Sequence, residues 1–211
     1  MFVETKHRIM ERKQFIISSV TAGLALTGMS SAFSKSESED ALKPFYLPPD
    51  NSVLDPGSGL SIRMKVRSSQ TNNQYSCVEC AIAPKTMGPA PHVHEKLDEI
   101  MYVTEGTVSV LVGQEVYHVE AGGWHLRPRG IVHTFWNATD KIARCTDMYF
   151  NQNFDDFLEE IFFKIFPDMA QKKLTPNDPS VMAAIEKLDR KFGIKTFYDQ
   201  RQAIMDKYGL R

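Results

Sequence analysis

Residues 88–106 read GPAPHVHEKLDEIMYVTEG and residues 122–137 read GGWHLRPRGIVHTFWN, and five of the chain's six histidines fall between His92 and His133. His92 and His94 stand two apart, which on an extended chain turns both imidazoles to one face. Glu99 opens the apolar run EIMYV and His133 opens HTFWN. Neighbouring strands can therefore bring three imidazoles and one carboxylate together. That donor set suits a borderline divalent transition metal and leaves up to two octahedral positions for water, substrate or dioxygen.

These residues resemble the cupin family. The second cupin motif, G-x5-P-x-G-x2-H-x3-N, is matched at every fixed position by Gly122, Pro128, Gly130, His133 and Asn137. The first, G-x5-H-x-H-x3,4-E-x6-G, is matched by His92, His94, Glu99 and Gly106, with Gly88 three residues before His92 where the motif has five. Asp98 also fits as a carboxylate after His94, but only Glu99 leaves the motif's six residues between itself and Gly106. The resemblance implies an all-β double-stranded β-helix, the jelly-roll barrel, with His92, His94, Glu99 and His133 as ligands to Fe, Mn, Ni or Zn. If Glu99 and His133 point inward, Met101, Val103, Phe135 and Asn137 share their faces and line a partly apolar pocket fit for an organic substrate. Trp136 and Tyr102 then face outward, into a second layer or a partner. His118 and His125 lie outside the motif positions and read as surface histidines or as supports for ligands. Arg127 and Arg129 flank Pro128 in what reads as a solvent-exposed turn, the alternative being a clamp for an anionic substrate.

A chain of 211 residues, 42% of them hydrophobic, accommodates one good-sized domain with additions. Residues 1–32 read as an export signal: basic residues through Lys13, then FIISSVTAGLALTGM, then small residues ending at Ala32. The apolar run is too short and too rich in Ser, Thr and Gly to span a bilayer comfortably. Arg12-Lys13 before Gln14-Phe15-Ile16 weakly resembles a twin-arginine signal. Cleavage after Ala32 removes four basic and two acidic residues and leaves 21 basic and 24 acidic, a formal charge of −3. No nucleic-acid or membrane-surface partner follows from that balance. The expected location is periplasmic or extracellular. Three cysteines, Cys77, Cys80 and Cys145, cannot all pair. Cys77 and Cys80 lie three apart on a strand and so on opposite faces, which makes them buried thiols rather than a redox pair, although either can meet Cys145 across strands.

The rest of the chain divides into a tether and irregular arm at 33–58, a barrel at 59–150 and a helical extension at 151–211. Phe45, Tyr46 and Leu47 in the arm read as core anchors on the barrel wall, the alternative being a contact with a second subunit. LSIRMKV from Leu60 to Val66 alternates with period two, and Gln70–Asn73 forms a turn before a strand through Cys77 to Ile82. EIMYVTEG, TVSVLVG, EVYHVEAGG, WHLRPRG, VHTFWNA and ARCTDMYF continue as short strands separated by turn residues. Beyond residue 150, Phe154, Phe157, Leu158, Ile161, Phe162, Ile165 and Phe166 recur at helical spacing, capped by Asn153, stopped by Pro167 and packed against the outer face of the barrel. Asp155, Asp156, Glu159 and Glu160 on the opposite face argue against a membrane role. Asp178-Pro179 starts a second helix that ends at Gly193, and a third spans about Tyr198 to Tyr208.

The resemblance to quercetinase-like single-domain cupins implies dioxygenase-type oxidoreductase chemistry on a small organic, phenolic substrate, with Glu99 as a ligand or a swinging base. A non-catalytic periplasmic binding or sensor protein is the competing class, and a sugar isomerase or epimerase the third. With a single motif pair, an oxalate decarboxylase is disfavoured. A homodimer is expected through the edge at Leu60–Val66, where unpaired amides need cover.

Overall fold

The computed structural model describes residues 41–211; the export-signal reading at 1–32 and the start of the tether lie outside the described residues. Two antiparallel sheets pack face to face, and helices follow at the C-terminal end. The first sheet runs in the order β1 (Leu60–Val66), β2 (Tyr75–Ile82), β10 (Ala143–Phe150), β5 (Asp98–Glu105) and β8 (Trp124–Arg127). The second runs β11 (Ile194–Thr196), β4 (His92–His94), β9 (His133–Asn137), β6 (Thr107–Val112) and β7 (Glu115–Glu120), with β3 (Thr86–Met87) paired to β9.

Period-two alternation sets the facing. Ala143, Cys145, Asp147 and Tyr149 of β10 are buried while the residues between them are only partly so, and β5 buries Glu99, Met101 and Val103 in the same rhythm. Val78, Ile82, Met101, Val103, Val108 and Val110 have no exposure and fill the space between the sheets. The one-residue link by which the chain passes from β5 in the first sheet to β6 in the second needs Gly106, whose φ of +72° and close approach to the Ile142 carbonyl disfavour a side chain.

The C-terminal extension enters the core instead of resting on the outer wall. Phe154 and Leu158 of α1 (Phe154–Glu160), Ile161, and Leu188 and Phe192 of α3 (Pro179–Phe192) belong to the same buried cluster as the strands. Asp178 caps α3 by accepting from the Ser180 amide, Pro179 fills its first turn and Gly193 ends it at φ +64°. β11, which the sequence reading lacked, follows and pairs with the histidine strand β4. A final helix, α4 (Arg201–Tyr208), lays Tyr208 on Trp136 at 4.7 Å between ring centroids.

Besides that outer-wall packing, and Asn137 treated below, four expectations need correction. Pro167 does not stop the first helix: a π-helical segment, Ile161–Ile165, precedes it, and Pro167 sits at the start of α2 (Phe166–Gln171), where a missing amide hydrogen costs least. Asn153 makes no side-chain cap and donates to Asp156 Oδ2 instead. Phe45, Tyr46 and Leu47 are exposed, so the arm does not anchor in the core. The fourth is Arg127, taken up below. All three cysteines are free, and Cys80 faces Cys145 directly across β2 and β10. Among the described residues, no helix is long and apolar enough to cross a membrane.

Candidate metal centre

His92 and His94 point into the sandwich from β4, and His133 does so from β9, where it is the register partner of His92. Glu99 reaches the same point from β5, in the opposite sheet. One potential ligand atom from each of these four buried residues lies within 4.8 Å of the others, a cluster that could hold a metal ion. His94 Nε2 is 2.8 Å and His133 Nε2 3.6 Å from Glu99 Oε1. The imidazole centroids are 4.5 to 5.4 Å apart.

Local backbone geometry orients two of the rings. Nδ1 of His92 lies 2.9 Å from the Ala90 carbonyl, and Nδ1 of His133 lies 2.9 Å from the Ile131 carbonyl. Each Nδ1–H donates to a carbonyl two residues upstream, so each Nε2 is left as a bare lone pair facing the cluster. Nδ1 of His94 is buried without a hydrogen-bond partner among the described residues, and Nε2 of His94 and of His133 face Glu99 Oε1 without forming a hydrogen bond to it. Buried polar atoms are normally paired. Convergent orphaned nitrogens beside a carboxylate are the donor set of a divalent transition metal, and the residues fit one.

Electrostatics favours the ligand states. Burial, then the neighbouring imidazoles of His133 and His94, pushes the His92 pKa down to about 3, so its ring is neutral near pH 7. Burial pushes Glu99 up, but the Arg127 guanidinium and the facing imidazoles hold its carboxyl well below the usual range.

Arg127 overturns the reading of an exposed turn. It ends β8 opposite Glu99, is fully buried, forms an ion pair with Glu99, Nη2 lying 2.9 Å from Oε2, and donates from Nη2 to Asp147 Oδ1. Its guanidinium carbon lies 5.5 Å from the Phe135 ring centroid. Tyr149, also buried, brings its hydroxyl to 3.4 Å from Asp147 Oδ2. Strand β8 is inverted: Trp124 and Leu126 are 60% and 54% exposed while Arg127 faces inward, so the hydrophobic residues point the wrong way for a reader of the pattern. Asp147 was more legible, because it occupies the apolar parity of ARCTDMYF.

Of the proposed pocket residues, Met101 and Val103 are fully buried core residues and Phe135 is 7% exposed. Asn137 does not line a pocket: its Nδ2 bonds the carbonyls of Ile82, Ala83 and Lys141, and its Oδ1 accepts from Thr139. Asp98 turns away from the cluster to Arg129 and Asn151. Arg129, unlike Arg127, is exposed as its turn position implied. His118 is exposed and bonded to Ser109, and His125 packs at a tilt against Tyr117, 4.8 Å between ring centroids. Phe154 of α1 closes the cluster from the C-terminal side, its ring edge-on to His94 at 5.2 Å.

Residues 78–149 match the family model for the cupin domain. The chain thus has a single cupin fold with a His/Glu cluster inside it. No curated protein matches the chain. Similar solved structures include KdgF from Halomonas sp., 18% identical over 54% of this chain and 98% of that one, with a TM-score of 0.45. An oxalate oxidase in complex with the substrate analogue glycolate is 20% identical over 73% of this chain and 84% of that one, with a TM-score of 0.41. A conserved double-stranded β-helix protein from Klebsiella pneumoniae is 20% identical over 51% and 85%, with a TM-score of 0.40.

Proposed function

We propose that this cupin is an exported metalloprotein that holds a divalent transition metal, Fe, Mn, Ni or Zn, through His92, His94, Glu99 and His133, and that it carries out dioxygenase-type oxidation of a small organic, phenolic molecule. The observation that carries the reading is the buried cluster itself, with unpartnered imidazole nitrogens and a carboxylate within 4.8 Å of one another. When bound, such a metal supplies Lewis acidity and, if redox-active, a site for electron exchange with dioxygen.

The chain's own residues orient and shield. His92 and His133 are fixed in one tautomer by backbone carbonyls, so their lone pairs are set before any metal arrives. Glu99 is gripped on its far oxygen by Arg127, which suits a permanent ligand better than a base that swings away. Phe154, Phe135 and Met101 exclude bulk water, which strengthens every charge interaction at the cluster.

Oxygen consumption on adding a catechol or flavonoid to metal-loaded protein tests the catalytic reading. Metal uptake with no turnover across such a screen would favour the binding or sensor class. Export supplies the setting, and N-terminal sequencing of protein from an exporting host, expected to begin near Phe33, tests it. A homodimer through β1 is part of the same proposal: β1 ends its sheet and carries Leu60, Ile62, Met64 and Val66 in alternation.

A further inference from the structure

Two thiols face each other inside the sandwich. Strands β2 and β10 pair along their whole length without a register shift, and Cys80 stands directly opposite Cys145. Both side chains lie on the buried parity of their strands, Cys80 with Val78 and Ile82, Cys145 with Ala143 and Asp147. They are 4% and 1% exposed and are free thiols in the structure. A hydrogen bond joins the two side chains, and together with burial it pushes the Cys80 thiol well above its ordinary range.

The backbone is already set for a bond between them. Opposite residues of an antiparallel pair hold their Cα atoms about 4.5–5.5 Å apart. A disulfide closes without backbone movement over roughly 4.4–6.8 Å. Cys77 is in neither position: it is the register partner of Met148, only half-buried, and displaced from Cys145 by three residues, about 10 Å along the strand. That separation is too long to bridge. A bond between Cys80 and Cys145 would also enclose residues 81–144, the segment that carries His92, His94, Glu99 and His133.

We infer that Cys80 and Cys145 are a disulfide-forming pair, which on oxidation cross-links β2 to β10 and closes the segment bearing the histidine and glutamate cluster into one loop. The oxidant is a small or protein-borne disulfide. The thiolate of one cysteine attacks a sulfur of that disulfide and displaces its other sulfur as a thiolate, giving a mixed disulfide; the second cysteine then attacks the first cysteine's sulfur and releases the remaining oxidant sulfur. Two protein thiols lose two electrons and two protons, and the oxidant's disulfide becomes two thiols. The exchange takes place while the chain is folding, because in the closed sandwich both sulfurs are covered. Supply of such an oxidant in the cell rests on the export reading above. The geometry does not, so refolding outside the cell tests the pairing by itself.

The full chain is reduced, unfolded in urea and refolded in a mixture of reduced and oxidised glutathione, with folding followed by circular dichroism; remaining thiols are then alkylated and the protein is digested for peptide mass mapping. The folded protein should carry one alkylated cysteine, Cys77, and a peptide linkage between Cys80 and Cys145. Cys77→Ser should keep that linkage. Because the closed loop restricts the unfolded chain, the linked protein should unfold at a urea concentration about 1–2 M higher than the same protein with a thiol reductant present. Three alkylated cysteines in folded protein would overturn the inference, as would a linkage through Cys77. Equal midpoints for the linked and reduced chains would overturn the cross-link's part in holding the sheet together.

Discussion

Replacing Phe154 by Ala is predicted to destabilise the whole domain, although the residue lies outside the strands. Its side chain is 5% exposed and packs edge-on to His94 at 5.2 Å, against Tyr149 at 4.8 Å, stacked on Phe157 at 4.8 Å and edge-on to Phe192 at 6.4 Å. Truncation removes a buried ring and leaves a cavity bounded by two strands and two helices. Such changes cost about 3–5 kcal/mol. With a urea slope of about 2 kcal/mol per molar, the unfolding midpoint should fall by roughly 2 M. Phe163, in the π-helical segment that follows α1 but 51% exposed, supplies the control: Phe163→Ala should change stability by no more than about 0.5 kcal/mol. The assay is urea unfolding of metal-free protein followed by circular dichroism. A loss below about 1 kcal/mol for Phe154→Ala would refute the inclusion of the C-terminal helices in the core.

Glu99→Gln should weaken metal affinity by about ten- to a hundredfold or more, measured by chelator competition, whereas Asp98→Asn should leave it unchanged; reversed effects would show Asp98 to be the ligand. Metal-free stability also responds to pH through two buried groups of opposite sign. His92, pushed down to about 3, stays neutral while the unfolded chain protonates near 6.5, so its contribution is full above pH 6.5 and is lost as pH falls toward 3. Asp147, pushed up to about 6 by burial, takes a proton before the unfolded chain does, so its contribution grows as pH falls from 6 to about 4. The stability penalty of Asp147→Asn should therefore grow by up to about 1.4 kcal/mol per pH unit over that interval in urea titrations; a pH-independent penalty would contradict it. Light scattering of the chain from Phe33 onward should give the mass of a dimer at micromolar concentration, and a charge placed at Met64 should shift it toward the mass of one chain.

The sheets were legible because their side chains obey a period of two and their turns carry Gly, Asn or Asp. The ligands were legible because the motif spacing ties Glu99 to Gly106 and His133 to Gly130. What stayed hidden depended on contacts between distant segments. Arg127 was misplaced because β8 exposes Trp124 and Leu126 and buries its charge, a reversal that only the pairing with Glu99 explains. The three residues of β11 are too few to show a period, and they become a strand only by pairing with β4. Pro167 was read as a stop because proline breaks a regular α-helix. The preceding π-helical segment lets it begin a new one. The aromatic stripe from Phe154 was correctly placed on a helix, but periodicity alone cannot say that the stripe meets His94 and not the outer wall.

Elemental analysis of protein dialysed against a divalent metal tests the central claim most directly. The parent chain should retain about one ion per chain, and the variant with His92, His94 and His133 all replaced by Ala should retain essentially none, since three of four ligand bonds are gone. Near-stoichiometric metal in the triple variant, or none in the parent, would contradict the assignment of the buried cluster as a metal centre.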